Sequence, residues 1–110
     1  MKLLELIGNT PLVELRSIPI NPNVKIFCKL EGQNPAGSVK DRAAYNMIKS
    51  ALERGEIKKG DRLVEATSGN TGISFSAIGR ALGHDVTIIM PNWLSKERVD
   101  IIKSYGAKIQ

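Results

Sequence analysis

Residues Arg62–Met90 read RLVEATSGNTGISFSAIGRALGHDVTIIM, two strands separated by a polar loop and a helix. Arg62-Leu63-Val64-Glu65-Ala66 reads as a short strand. Asp85 to Met90 is a clearer one: β-branched, nearly all apolar and ended by Pro91, as a buried parallel strand requires. Ile73 to Leu82 is an apolar helix stopped by Gly83. Thr67-Ser68-Gly69-Asn70-Thr71-Gly72 is the loop that leaves the first strand and opens that helix.

The alternation continues on both sides. Upstream, Ser38 is placed as a helix N-cap, with Asp41 where a capping-box acid would sit. Ala44, Met47, Ile48, Ala51 and Leu52 then recur at helical spacing up to Gly55. Downstream, a helix runs from about Ser95 to Tyr105, ends at Gly106, and Ala107–Gln110 begins another strand. From Ser38 the order is α-β-α-β-α-β, which predicts an α/β fold: a parallel sheet with helices on both faces. Before it come a loop at Pro19–Asn23, a strand at Val24–Leu30 and an irregular stretch at Glu31–Gly37. The last strand has only begun at Gln110, so the sequence reads as an incomplete piece of a larger fold.

Composition narrows the classes. The chain has 110 residues, 42% of them hydrophobic, too many for a disordered tail. No apolar run approaches the ~20 residues of a membrane helix. At this length a core buries roughly two-thirds of the unfolded surface. Net charge is +5, but both signs are interspersed, and Lys58-Lys59, the only adjacent basic pair, has no aromatic neighbours. That disfavours nucleic acid and leaves steering of small anions open. Met1–Gly8 holds no signal-like apolar stretch, and Cys28, the only cysteine, has no disulfide partner. Both features suit a cytoplasmic protein. Cys28 lies in an alternating apolar strand and reads as a buried thiol.

Two features carry possible chemistry. Lys40 falls in the first turn of a predicted helix, where the amide dipoles disfavour an ammonium and favour a free amine. A free amine is what Schiff-base chemistry needs; the same position also suits a surface lysine paired with Asp41 or another acid. The second feature is the Thr67–Gly72 loop. It lies at the carboxyl end of a strand, where open α/β sheets bind ligands, and its helix start offers N–H groups to an anion. Thr67, Ser68 and Thr71 add hydroxyls and Asn70 an amide, a set suited to a carboxylate or phosphate; polar helix capping is the plainer alternative. It is neither a Walker loop nor a G-x-G-x-x-G fingerprint. A single histidine and a single cysteine cannot meet zinc spacing, so no metal site is expected. His84 is expected in a solvent-exposed turn, and Trp93 packing or supporting a surface turn. Lys96, Glu97, Arg98 and Asp100 read as one solvated helix face.

Four motifs occur in a familiar order: Ile7-Gly8-Asn9-Thr10-Pro11-Leu12-Val13, Lys29-Leu30-Glu31, Asn34-Pro35-Ala36-Gly37-Ser38-Val39-Lys40-Asp41-Arg42 and Glu65-Ala66-Thr67-Ser68-Gly69-Asn70-Thr71-Gly72. With them the chain resembles the cysteine synthases (O-acetylserine sulfhydrylases) of the fold type II pyridoxal-phosphate enzymes, and Asn-Pro-Ala-Gly is closer to their B-type. The resemblance implies that Lys40 forms the Schiff base with pyridoxal phosphate and that Asn70 meets the cofactor's 3-hydroxyl. It implies that Thr67, Ser68, Gly69, Asn70 and Thr71 hold the substrate α-carboxylate. The reaction implied is a β-replacement on O-acetylserine or O-phosphoserine with sulfide, giving cysteine, in an enzyme that is usually a homodimer. Residues 1–34 would belong to the larger domain of such an enzyme and 35–110 to most of its small mobile domain. In that family the phosphate-binding loop and the residue at the pyridine nitrogen come later in the chain. These 110 residues alone are therefore expected to bind the cofactor weakly and to turn over poorly or not at all. A non-catalytic module or fragment that needs a partner, and a cystathionine β-synthase-like enzyme, are the other readings.

Overall fold

The computed structural model describes residues 2–110. Two short 3-10 turns, Leu3–Leu6 and Glu31–Gln33, accompany strands β1 (Leu12–Glu14) and β2 (Phe27–Lys29). Then follow α1 (Lys40–Glu53), β3 (Arg62–Ala66), α2 (Asn70–Ala81), β4 (Asp85–Ile89), α3 (Lys96–Ser104) and β5 (Lys108–Ile109). The α-β-α-β-α-β order from α1 onward is the expected one. No described helix is long and apolar enough to cross a membrane.

β3, β4 and β5 form a parallel sheet in that order, with Leu63 beside Val86 and Ile88 beside Ile109. α2 is its central packing partner. Eight consecutive residues, Gly72 to Gly79, are buried, because the helix is covered on more than one side. A Cβ on Gly79 would lie 2.6 Å from Val86 of β4, 3.4 Å from Leu63 of β3 and 3.9 Å from Ile48 of α1. Only glycine lets helix and sheet approach this closely. The sheet is thus on one side of α2 and α1 on another.

α3 joins the same face. Ile88 and Ile102 both come within 3.6 Å of where a Gly72 side chain would start. Two crossovers of one hand, stepping the same way across a sheet, put both helices on one side. Covering helices on the second face, which the sequence also led one to expect, are not found among the described residues. Val64, between the inward Leu63 and Glu65, is 55% exposed, and Ile89 is exposed beside the buried Ile88.

The N-terminal third is built differently. β1 and β2 pair antiparallel, Val13 opposite Cys28. The β1 strand went unrecognised in the sequence, and the strand expected at 24–30 shrinks to three residues. Val24 is exposed and Cys28 only half-buried, so the alternating apolar pattern faces no deep core here. Met47 is likewise exposed although it sits at helical spacing with the buried Ala44 and Ile48.

His84 corrects the sequence reading outright. It is fully buried, not an exposed turn residue. Its Nδ1 lies 3.0 Å from the Asp61 carbonyl, which can only accept, so Nδ1 carries the proton. Its Nε2 has no partner among the described residues. Trp93 stays at the surface, 75% exposed.

Candidate active site

Lys40 is the first residue of α1, and the chain at 34–37 that leads to it is not helical. Pro35 holds Asn34 extended (φ −63°, ψ 152°), and Gly37 takes φ +94°. Ser38 Oγ accepts the Lys40 N–H at 3.1 Å, but the N-cap position falls on Val39 and not on Ser38 as expected, and no side chain caps α1 there. The expected capping-box partner acts elsewhere. Asp41 is fully buried; its Oδ2 accepts the Ala36 N–H at 2.6 Å and its Oδ1 accepts the Ser74 hydroxyl at 2.5 Å. Ser74 is in the second turn of α2. The amino-terminal ends of α1 and α2 therefore lie side by side. Lys40 itself is exposed.

The loop expected at 67–72 is shorter than its sequence suggested, because α2 starts at Asn70 and not at Ile73. Thr67 extends the β3 ladder, its N–H donating to the Ile89 carbonyl at 3.0 Å, while its Oγ1 accepts the Gly69 N–H at 3.2 Å. Gly69 is the cap residue, and no side chain caps α2. The first-turn N–H groups of Asn70 and Thr71 are thus not taken by a side chain, which suits an anion. Gly72 is fixed by packing: a Cβ there would stand 2.6 Å from Thr67 Cγ2.

Arg98 was expected on a solvated face. It is half-buried, and its Nη1 donates to the Ser68 carbonyl at 2.8 Å. A signal existed: α3 follows β4, so its first turn starts at the same carboxyl edge of the sheet as the Thr67–Gly72 loop. Lys96, Glu97 and Asp100 are exposed, as expected.

A second cluster, unassigned from the sequence, ties the other side of the Lys40 segment. Arg42 meets Glu31 with two hydrogen bonds, Nε to Oε2 at 2.8 Å and Nη2 to Oε1 at 2.9 Å. The Thr10 hydroxyl donates to Glu31 Oε1 at 2.6 Å, and Asn34 Nδ2 donates to Oε2 at 2.9 Å. Asn34 Oδ1 accepts the Gly8 N–H at 2.8 Å, and Lys29 Nζ donates to the Thr10 carbonyl. Hydrogen bonds from Arg42, then Thr10, hold the Glu31 carboxyl at about 2, against the opposing effect of burial. The same pair raises Arg42 above its ordinary range. Gly8 (φ +83°) leaves room for the guanidinium, since a Cβ there would stand 2.9 Å from Arg42 Nη1.

The donor set fits part of pyridoxal phosphate and its amino-acid partner: an accessible primary amine, a helix start without a side-chain cap, hydroxyls and one carboxamide. Comparison with known proteins agrees. A family model described as pyridoxal-phosphate dependent enzyme matches residues 3–110. Cysteine synthase B of Salmonella typhimurium is 52% identical over 103 residues, covering 94% of this chain and 34% of that protein. Among solved structures, O-ureido-L-serine synthase superposes with a TM-score of 0.93 at 38% identity, over 99% of this chain and 34% of that one. A hydrogen sulfide-producing enzyme from Fusobacterium nucleatum gives 0.92 at 42% identity, over 98% and 35%. The chain spans about a third of the length of the curated relatives it matches.

Proposed function

The chain belongs to the pyridoxal-phosphate dependent enzyme family, and on that footing we propose that it is the N-terminal part of a cysteine synthase. The reaction is replacement of the β-substituent of O-acetylserine or O-phosphoserine by sulfide. One observation carries the reading. The Asp41–Ser74 hydrogen bond sets the start of α1, with Lys40, beside the start of α2, with the Thr67–Thr71 segment.

Pyridoxal phosphate, when bound, supplies an aldehyde for a lysine amine and a ring that accepts an electron pair. Lys40 would provide that amine and would be the group placed to take the substrate α-proton as general base. The N–H groups at the start of α2 and the hydroxyls of Thr67, Ser68 and Thr71, with Gly69 giving close backbone approach, hold the α-carboxylate. The Asn70 amide would hold the cofactor by its ring hydroxyl. Arg98 fixes the Ser68 carbonyl and so the shape of the loop. In this reading residues 1–34 belong to a larger domain and 35–110 to a small mobile one, in a cytoplasmic homodimer.

The test is reaction of the chain with pyridoxal phosphate, borohydride reduction and peptide mapping. Label concentrated on Lys40, weak in extent and abolished by Lys40→Ala, is the expected result. Label spread evenly over the exposed lysines overturns the reading. Assays of a full-length relative-sized protein with O-acetylserine or O-phosphoserine, and with sulfide, thiosulfate or homocysteine, separate cysteine synthase from a cystathionine β-synthase-like enzyme.

The open sheet face bearing Val64 and Ile89 favours a second reading, a module that works only with a partner. Light scattering on the chain tests it: self-association or aggregation through that face is expected, and a stable, cooperatively unfolding monomer overturns it.

A further inference from the structure

We propose that Asp41 is a positioning residue: through Ser74 it holds the Lys40 segment at a fixed place relative to the Thr67–Thr71 loop. This rests on reading those two elements as halves of one site. Among the described residues Asp41 is the only fully buried carboxylate, and it has no ion-pair partner there. Burying an unpaired carboxylate is costly, and an apolar side chain of similar size would pack α1 on α2 at less cost. What an apolar side chain cannot do is bond in two directions. Oδ2 of Asp41 takes the Ala36 N–H, in the loop that leads into Lys40, and Oδ1 takes the Ser74 hydroxyl.

Ser74 stands four residues after Asn70, so the two lie on one helix face. The path from Lys40 to Asn70 is thus one peptide step, one hydrogen bond and one helical turn. On its other side the Lys40 segment is held by Arg42 against Glu31 and Thr10. Lys40, between these anchors, has no hydrogen bond or ion pair from its own amine among the described residues. The backbone held between these anchors serves to aim a side chain that no other described hydrogen bond or ion pair restrains.

Two variants separate a hydrogen-bond strut from a charge effect. Ser74→Ala removes the link and keeps the carboxylate. Asp41→Asn removes the charge, but its amide can accept from Ala36 and donate to the Ser74 oxygen. Each is labelled with pyridoxal phosphate and borohydride, and the Lys40 to Lys59 label ratio is read by peptide mapping. Lys59 is the internal reference because it is exposed beyond the far end of α1. S74A is expected to lower that ratio about tenfold, the order that a small misplacement of a reacting group costs. D41N is expected to stay within about twofold of the parent and so to act as the conservative rescue. Both should keep the parent far-UV circular dichroism.

A cofactor-free measurement accompanies it: hydrogen exchange over residues 36–42 should quicken about tenfold in S74A while residues 8–14 are unchanged. Should S74A not fold, Ser74→Cys, close in size with a feeble donor, carries the same expectation. Unchanged exchange and an unchanged ratio in a folded S74A overturn the strut. A fall in D41N that S74A does not share also overturns it, in favour of charge. Even labelling of the parent chain, with the exchange effect present, overturns the site reading and leaves the strut standing.

Discussion

The α2 region and the β1–β2 hairpin are held by opposite means. In the α2 region, Ile78, Val86, Ile88 and Ile102 are all fully buried, and cohesion is apolar. In the β1–β2 region, Leu12 is 63% and Phe27 54% exposed, and the segment is fastened to α1 by Arg42, Glu31, Thr10 and Asn34. One half is a core that excludes water; the other is a hairpin pinned by hydrogen bonds. The candidate lysine lies at their junction, with Asp41 reaching into the first region and Arg42 into the second.

The difference is broken most forcefully in the core. Ile78→Ala removes a fully buried side chain from the face where α2 meets its neighbours. It should cost about 2–5 kcal/mol, measured as a shift in the denaturant midpoint at constant slope. For so small a chain that approaches the whole stability. Next comes Gly79→Ala. Its new methyl would stand 2.6 Å from Val86 Cγ2, and neither β4 nor α2 can retreat without opening the sheet side. A loss of about 1–3 kcal/mol is expected. No loss would mean that helix and sheet are less closely apposed than this.

The same division explains how much could be read from residues alone. β3 was legible to the residue, and β4, α3 and β5 to within a residue or two, since apolar runs and glycine stops act locally. The α2 start was missed because Asn70 and Thr71 look like loop residues, and only packing of Gly72 on Thr67 and Ile88 draws them into the helix. The Arg42 cluster was not legible. Its members are 8 to 42 in number and join through space, and charged residues at such separations carry no periodicity. His84 was misjudged because a glycine before it signals a turn, while its burial depends on the Asp61 carbonyl, 23 residues away in sequence. Lys40 and the Thr67–Thr71 loop were visible as chemistry, but the Asp41–Ser74 contact that brings them together was not.

In the pinned half the effects should be local and smaller. Arg42→Gln removes the bidentate contact with Glu31. Hydrogen exchange should rise over residues 8–14 and 26–34 while β3 and β4 keep their protection. Loss of protection in β4 as well would mean that the hairpin and the core unfold as one unit.

Acid should act on the same place. The Glu31 carboxyl is held at about 2 against an ordinary 4.5, so its charged form is favoured by folding. That contribution is complete above 4.5 and is lost as the pH falls from there through about 2. Exchange over residues 8–14 and 26–34 should therefore rise across this window before the sheet opens. Glu31→Gln should flatten the dependence. A pH-independent hairpin in the parent chain would mean that the ion pair forms no better folded than unfolded.

The smallest effect is expected at the hairpin's apolar surface. Ile20 is fully exposed in the loop between β1 and β2, and its burial gains nothing on folding. Ile20→Ser should shift stability by no more than about 0.5 kcal/mol, as surface changes away from special geometry do. The same should hold for Leu12→Ser in a monomer. These near-zero values are the sharpest statement of the contrast, because an isoleucine in α2 and an isoleucine in the hairpin loop differ only in what surrounds them. A large loss on Ile20→Ser would mean that the side chain is covered in solution, and sedimentation of the parent would then show self-association that the variant lacks.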